Sequence, residues 1–386
     1  MHFTQAQVNK IIEEVVIKED GLNTLLKMAL DALMKSERSE FNQHNHEVSN
    51  GFRTRRAFGD KQMIELQVPR TRSGSFYPVI LALLKNQEEE ARNLAFHLYK
   101  SGLTTAQVGE TFDQIYGRHY STSQVSRMFD GAREEVKHWL ERPLNNYYPI
   151  VYIDATFIPT RRVDSVSKEA YYTLLGVRPD RTREVLGVFN FPTEGSKQWI
   201  SIFEQLKTQG VQRIDLFVTD GLSGIEDAIW KCFSQAYIQL CTVHLQRVFL
   251  KETKPKHKAA LSEDFKEVFR SDDRHDSPVK AKERFTAFCE KWGRYYPYFR
   301  KRQHNPRNEL YFTYLRYDYR IRSMIYSTNW IERLNRDFKR TTRMRGALPN
   351  PEATILLLAG VAMNKKAYLR KIPRLNHEQN QFDWDD

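Results

Sequence analysis

The sequence predicts an α/β protein: a mixed β-sheet with helices on both sides, broken by a helical insertion and preceded by mostly helical domains. Three observations carry this. Strand-like and helix-like segments alternate from Ile150 to His244. Helical apolar spacing dominates the chain before and after that region. Two aspartates, Asp154 and Asp220, stand within or at the end of strand-like runs that such a sheet brings side by side.

Residues 1–48 form the first expected region. Val8, Ile11, Ile12 and Val15 recur at helical spacing, with Thr4 and Gln7 placed as a capping box. After Gly21, Leu22, Leu25, Leu26, Ala29, Leu30 and Leu33 mark a second helix, and the pair suits packing or dimerisation. Residues 49–87 change character. The basic, aromatic run NGFRTRRAFGD precedes a segment where Met63, Glu65 and Gln67 alternate with Ile64, Leu66 and Val68. This reads as a small strand unit with Arg53, Arg55, Arg56, Arg70 and Arg72 on its rim. Those arginines fit a DNA backbone, and equally a solvated surface. Residues 88–142 are helical. Thr104–Phe112 and Ser121–Glu134, joined through YGRHY, have the look of a helix-turn-helix. Ser123, Gln124 and Arg127 would then face DNA while Val125, Met128 and Phe129 pack inward; a three-helix bundle without DNA contact is the competing reading. Pro143–Pro149 is the expected linker.

Residues 148–245 carry the alternation. PIVYIDATFI is a strand with Asp154 in its middle, and EAYYTLLGVRPDRTREVLGVFNF is a hairpin about Pro179-Asp180. Lys197–Thr208 is an amphipathic helix showing Trp199, Ile202, Phe203 and Leu206. IDLFVTDG is a strand ending at Asp220, Ser223 with Glu226 is placed to cap the next helix, and AYIQLCTVH is a further strand. Three strands, helix, strand, helix, strand is the element order of an RNase H-like fold. Residues 246–325 read as a helical insertion. Its acidic cluster, Asp272, Asp273, His275 and Asp276, fits a solvated loop better than a metal site. Residues 326–372 return to the core with helices, the last over Pro349–Arg370, and residues 373–386 form an acidic tail.

A net charge of +12 and a pI near 9.4 favour a polyanionic partner, in line with the double-stranded DNA that a helix-turn-helix would bind. No apolar run approaches the roughly 20 residues that cross a bilayer, so no membrane partner is expected. Met1–Asp20 carries Glu13, Glu14 and Glu19 through its apolar part, unlike a secretory signal. Three cysteines give no disulfide framework, which fits a reducing cytoplasm.

An unpaired carboxylate in an apolar strand costs several kcal/mol if buried, so Asp154 needs a reason. With Asp220 beside it, the pair repels itself and wants a hard divalent cation, Mg²⁺ or Mn²⁺. Two such ions roughly 4 Å apart could assist cutting of a phosphodiester. A third carboxylate on a later helix would complete the site. In Ser327–Arg345, Ile331, Leu334 and Phe338 form an apolar stripe, while Glu332, Arg336, Lys339 and Arg343 fall on another face, with Arg333 and Arg340 adding charge. Glu332 is that candidate. The plainer reading is a capped amphipathic helix, with Asn329 as N-cap and Glu332 as its N3 acid.

The chain resembles a mutator-type bacterial insertion-sequence transposase, one of the DDE transposases. The resemblance rests on NGFRTRR with ELQVPRTRSGSFYP, VYIDATF, LLGVRPDRTREVLGVF, TEGSKQW, VTDGLSGI, QLCTVHLQR and STNWIERLNRDFKRTTR, in family order from about residue 50 to 350. It implies Asp154, Asp220 and Glu332 as a triad holding Mg²⁺ or Mn²⁺, two ions per site. It also implies a Cys-x-x-His signature at Cys241 and His244. Two ligands make no zinc site, so His244 is expected near the scissile phosphate and Cys241 as its buried neighbour. Two core residues packed together is the other reading. The resemblance further implies a homodimer acting on terminal inverted repeats and target DNA by copy-out–paste-in transposition, nucleoid-associated when bound to DNA. A non-catalytic DNA-binding derivative and a structure-selective nuclease are the rival readings. Trp330, Ser327, Val248 and Arg181 depart from the family's usual Pro, Thr, Asn and Gly, none at a triad position.

Overall fold

The computed structural model describes residues 20–59, 62–116, 120–163, 165–191, 195–363 and 365–372, with isolated positions before Asp20. Most of the expected first helix, part of the YGRHY connection, part of TEGSKQW and the acidic tail lie outside the described residues. The chain divides into two compact units, Met1–Glu134 and Glu135–Asp386. The division falls within a helix, Asp130–Glu141, ahead of the stretch expected as linker.

In the first unit a helix, Gly21–Asn45, buries Leu30 and Met34 against a two-stranded hairpin, β1 (Ser49–Phe58) and β2 (Met63–Thr71). Alternation puts Ile64, Leu66 and Val68 on the buried face. Arg53, Arg56, Arg70 and Arg72 are exposed, and Arg55 is half-buried beside Glu88 at 3.6 Å. Helices Val79–Lys100, Thr105–Tyr116 and Thr122–Met128 follow. Thr104 and Gln107 exchange a capping box at 2.9 and 3.2 Å. The helix expected over Ser121–Glu134 is instead two. The first stops at Met128, Phe129 buries its ring 4.8 Å from that of Tyr99, and a new helix starts at Asp130.

The second unit is built on a five-stranded sheet in the order β5-β4-β3-β6-β7. β3 (Tyr147–Arg161), β4 (Val166–Val177) and β5 (Arg183–Asn190) form an antiparallel meander; β6 (Arg213–Thr219) and β7 (Tyr237–Leu240) run parallel to β3. Tyr148 and Ile150 to Ile153 are wholly buried, as a strand covered on both faces requires. Helix Ser196–Thr208 covers the face of Val151, Tyr172 and Phe217, burying Trp199, Ile202, Phe203 and Leu206, all four anticipated from the sequence. Helix Asn329–Thr342 lies on the opposite face, that of Asp154.

Several local readings change. The helix after β6, Ile225–Cys232, is preceded by Gly224 in a left-handed conformation, not capped by Ser223, and Glu226 pairs with Arg307. At the β4–β5 turn Arg181 has φ +70°, a geometry that favours glycine. The insertion contains helices Lys258–Val268, Pro278–Gly293, Pro297–Gln303 and Tyr319–Ile325 around Phe249, Phe265, Phe285, Phe288 and Phe299, with Phe249 stacked on Phe299 at 4.5 Å. Asp276 is not solvated: it is buried and accepts from Arg284 Nη1 at 3.0 Å. The last long helix is Pro351–Ala362, capped by Asn350 and shorter than expected. Among the described residues no helix is long and apolar enough to cross a membrane.

Candidate active site

Strand register assembles the site. Ile153 of β3 pairs with Thr219 of β6, and Thr219 pairs with Leu240 of β7. The next residues are therefore Asp154, in the middle of β3 where its pairing with β6 ends, and Asp220 and Cys241, just past the carboxyl ends of β6 and β7. That is where open α/β sheets place their sites. Cys241 N–H donates to Thr219 O at 2.7 Å, which locks the β7 end to β6. Cys241 is also the N-cap of helix Thr242–Lys251, so His244 sits on the first turn of a helix and not on a strand.

Asp154 is 4 % exposed. Its Oδ1 accepts from Ala155 N at 3.0 Å and its Oδ2 from Asn335 Nδ2 at 2.6 Å. Burial first, then the neighbouring Asp220 charge, push its carboxyl up to about 7; the two hydrogen bonds oppose this. Glu332 adds to the same repulsion, so three carboxylates share one field. His244 Nε2 lies 4.0 Å from Asp220 Oδ2. Burial, then the adjacent Arg247, hold the imidazole below its usual range.

One donor atom each from Asp154, Asp220 and His244 lies within 4.8 Å of the others. The two carboxylate oxygens suit Mg²⁺ or Mn²⁺, and an imidazole nitrogen beside them tips the set toward the softer Mn²⁺. A buried carboxyl with a pKa raised by a second carboxylate is a group that a bound cation would relieve. The donor set fits.

This cluster differs from the expected trio in one member. Glu332 stands at its rim, where Arg247 Nη2 donates to its Oε1 at 2.9 Å. The expected capping arrangement does not form. The N-cap is Thr328, with Asn329 the first helical residue, and the Glu332 carboxylate turns to Arg247. Thr328 is tied to the signature cysteine: its N–H and Oγ1 both lie 3.4 Å from Cys241 Sγ. Thr242 N–H and Oγ1 donate to Tyr326 O at 3.1 and 3.0 Å. The buried Cys241 thus joins the start of the Glu332 helix to the sheet end, and burial raises its thiol pKa.

On helix Asn329–Thr342, Ile331, Leu334 and Phe338 are buried as expected, while Arg333, Arg336, Lys339, Arg340 and Arg343 are all exposed. Trp330 packs against Arg183, whose guanidinium lies 4.6 Å from the ring centroid. In the first unit Ser123 and Arg127 are exposed. Gln124 is occupied: its Oε1 accepts from Ser121 N at 2.8 Å in a capping box. A cavity of about 1110 Å³ lies at the other end of β6 and β7, beside Arg213, Asp215 and Tyr237, and none of the acids above lines it.

Sequence reasoning missed Asn335 and Arg247. Asn335 lies three residues after Glu332, one turn along the same helix, on the side facing Asp154. Arg247 lies three after His244, and that spacing was its signal.

A family profile described as "Transposase, Mutator family" matches residues 3–370. The transposase for insertion sequence element IS905 of Lactococcus lactis is 32 % identical over 365 residues, 91 % of this chain and 90 % of that protein. The transposase for IS256 in transposon Tn4001 of Staphylococcus aureus is 26 % identical over 375 residues, 94 % and 95 % of the two chains. Among solved structures, the Drosophila P element transposase strand transfer complex aligns with a TM-score of 0.33 and 11 % identity, over 73 % of this chain and 93 % of that one. The breadth of the profile match, taken with a relative 32 % identical over 91 % of this chain, places the chain in the Mutator family of transposases.

Proposed function

We propose that this chain is a DDE transposase with an RNase H-like catalytic core. It binds the terminal inverted repeats of its own insertion sequence as a dimer, cleaves a strand there, and joins the freed 3′-hydroxyl to another phosphodiester. The observation that carries this reading is the register that sets Asp154 and Asp220 side by side, with His244 within 4.8 Å and Glu332 at the rim. The order β5-β4-β3-β6-β7, an antiparallel meander extended by two parallel strands, supports the RNase H-like assignment.

Asp154, Asp220 and Glu332 would hold Mg²⁺ or Mn²⁺, with His244 beside them, and the cation would neutralise charge on the phosphodiester being cut. The rest falls to side chains. Asn335 fixes the Asp154 carboxylate through Oδ2. His244, its pKa lowered by burial and by Arg247, has Nε2 placed to accept a proton from an attacking hydroxyl. The exposed Arg336, Lys339 and Arg343 offer the DNA backbone a track leading to the acids. Arg53, Arg70, Arg72 and Arg127 supply further backbone contacts from the first unit. No covalent protein intermediate is required. The family's copy-out–paste-in route through a circular intermediate is the pathway proposed.

The test is a strand-transfer assay on a duplex carrying the inverted repeat that flanks the coding sequence. Cleavage and end joining in Mn²⁺ are expected. Cleavage without joining would make the chain a nuclease, and binding without cleavage a DNA-binding derivative.

A further inference from the structure

We propose that Arg247 is a substrate-binding residue of this active site, whose guanidinium receives a non-bridging oxygen of the scissile phosphate; the inference rests on the functional reading above. Arg247 lies on helix Thr242–Lys251, one turn beyond His244, so both side chains face the sheet end. Its two terminal nitrogens reach two different site residues. Nη2 is 2.9 Å from Glu332 Oε1, and Nη1 is 3.4 Å from His244 Nε2. Arginine only donates, so in that contact Nε2 is the acceptor. His244 Nε2 is in turn 4.0 Å from Asp220 Oδ2. A cation is therefore set into the rim of a ring of carboxylates.

Stability alone does not account for it. The Arg247 side chain is 56 % exposed, and a pair this open contributes about 0–1 kcal/mol. Substrate electrostatics give a better reason. A phosphodiester carries one negative charge and must approach Asp154, Asp220 and Glu332, all acids. A guanidinium at the entrance offsets that repulsion, and its planar fork matches phosphate oxygens. The open half of Arg247 leaves a face for that contact while Glu332 and His244 fix its position. Were Glu332 to serve as a ligand of a bound cation, Arg247 Nη2 would be freed to donate to the phosphate.

A second reading of the same geometry makes Arg247 only a holder of Glu332, and the two readings predict opposite results. The experiment measures binding in Ca²⁺ of an end duplex with a natural or a neutral methylphosphonate linkage at the cleavage position, for wild type, Arg247→Ala and Arg247→Lys. Mn²⁺ affinity is measured separately by paramagnetic resonance. If Arg247 binds the phosphate, the methylphosphonate weakens wild-type binding roughly tenfold, the scale of one charge-assisted hydrogen bond. It weakens Arg247→Ala binding clearly less, leaving only the share that the cation accounts for. Arg247→Lys, which keeps the charge but loses the fork, falls between. Mn²⁺ affinity of Arg247→Ala stays level or tightens, because a competing cation has left Glu332. An equal methylphosphonate penalty in wild type and Arg247→Ala, or weaker Mn²⁺ binding in Arg247→Ala, would overturn the inference while leaving a cleaving wild type and its functional reading intact. A wild type that neither binds nor cuts the duplex would overturn both.

Discussion

Replacing Asp154 with Asn should stabilise the metal-free protein while ending its activity. The carboxyl is 4 % exposed and is raised from 3.8 to about 7 by burial and by Asp220. That is a rise of about 3 units, at 1.36 kcal/mol each about 4 kcal/mol as an upper bound. The sign follows from proton binding. In the unfolded chain Asp154 ionises near pH 4, whereas the folded protein holds the proton until about pH 7. The folded state therefore binds more protons in that window, and stability falls as pH rises through it. Asp154→Asn removes the charge and with it the slope. Local hydrogen bonding survives, because Asn335 can turn its amide and present Oδ1, which has no partner among the described residues. At about pH 8 in EDTA the variant unit should melt higher, by at most roughly 8–16 °C when the upper bound is taken at 2–4 °C per kcal/mol. The gap should narrow toward pH 4, and added Mn²⁺ should raise the wild type alone. Scanning calorimetry across pH decides it. Equal melting temperatures at pH 8, or parallel pH dependence, would refute the argument that Asp154 is a strained carboxylate.

Asn335→Leu removes the donor to Asp154 Oδ2; Mn²⁺ affinity should fall about tenfold, the scale of a hydrogen bond to a charged group, and titration calorimetry reads it. Its effect on stability should shrink in an Asp154→Asn background, where a neutral amide pair replaces the hydrogen bond to a charge. Arg181→Gly relieves a left-handed residue in the β4–β5 turn and should raise stability by about 1 kcal/mol in thermal melts. Arg127→Ala should weaken end binding and reduce the salt slope by about one in titrations at varied salt; an unchanged slope would remove Arg127 from the DNA interface.

The parts legible in the sequence were those where one short-range pattern decides. Apolar alternation in Ile64, Leu66 and Val68 gave the hairpin face, and helical spacing of Trp199, Ile202, Phe203 and Leu206 gave a buried helix. Asp154 stood out because it broke an apolar strand. The alternation of strands and helices, with Asp154 and Asp220 at one sheet end, was also legible. What escaped depended on which partner each side chain takes, near or far in sequence. The plainer alternative for Glu332, a capping acid, rested on Asn329 three residues before it, yet its carboxylate goes to Arg247, far back in the chain. Gln124 read as a DNA contact because it shares a helix with Arg127, but the local capping box with Ser121 claims its side chain. Cys241 and His244 read as a strand end, whereas the chain turns into a helix at Cys241 itself. Asp276 read as solvated until Arg284, on the following helix, came back to meet it.

Glu332→Gln puts the central claim to its most direct test. The substitution keeps the side chain's size and an oxygen that can accept from Arg247, and removes only the charge. Measured side by side on the same end duplex in Mn²⁺, end binding should match wild type while strand cleavage falls to background. Cleavage at the wild-type rate would contradict the assignment of Glu332 as the third acid of the site.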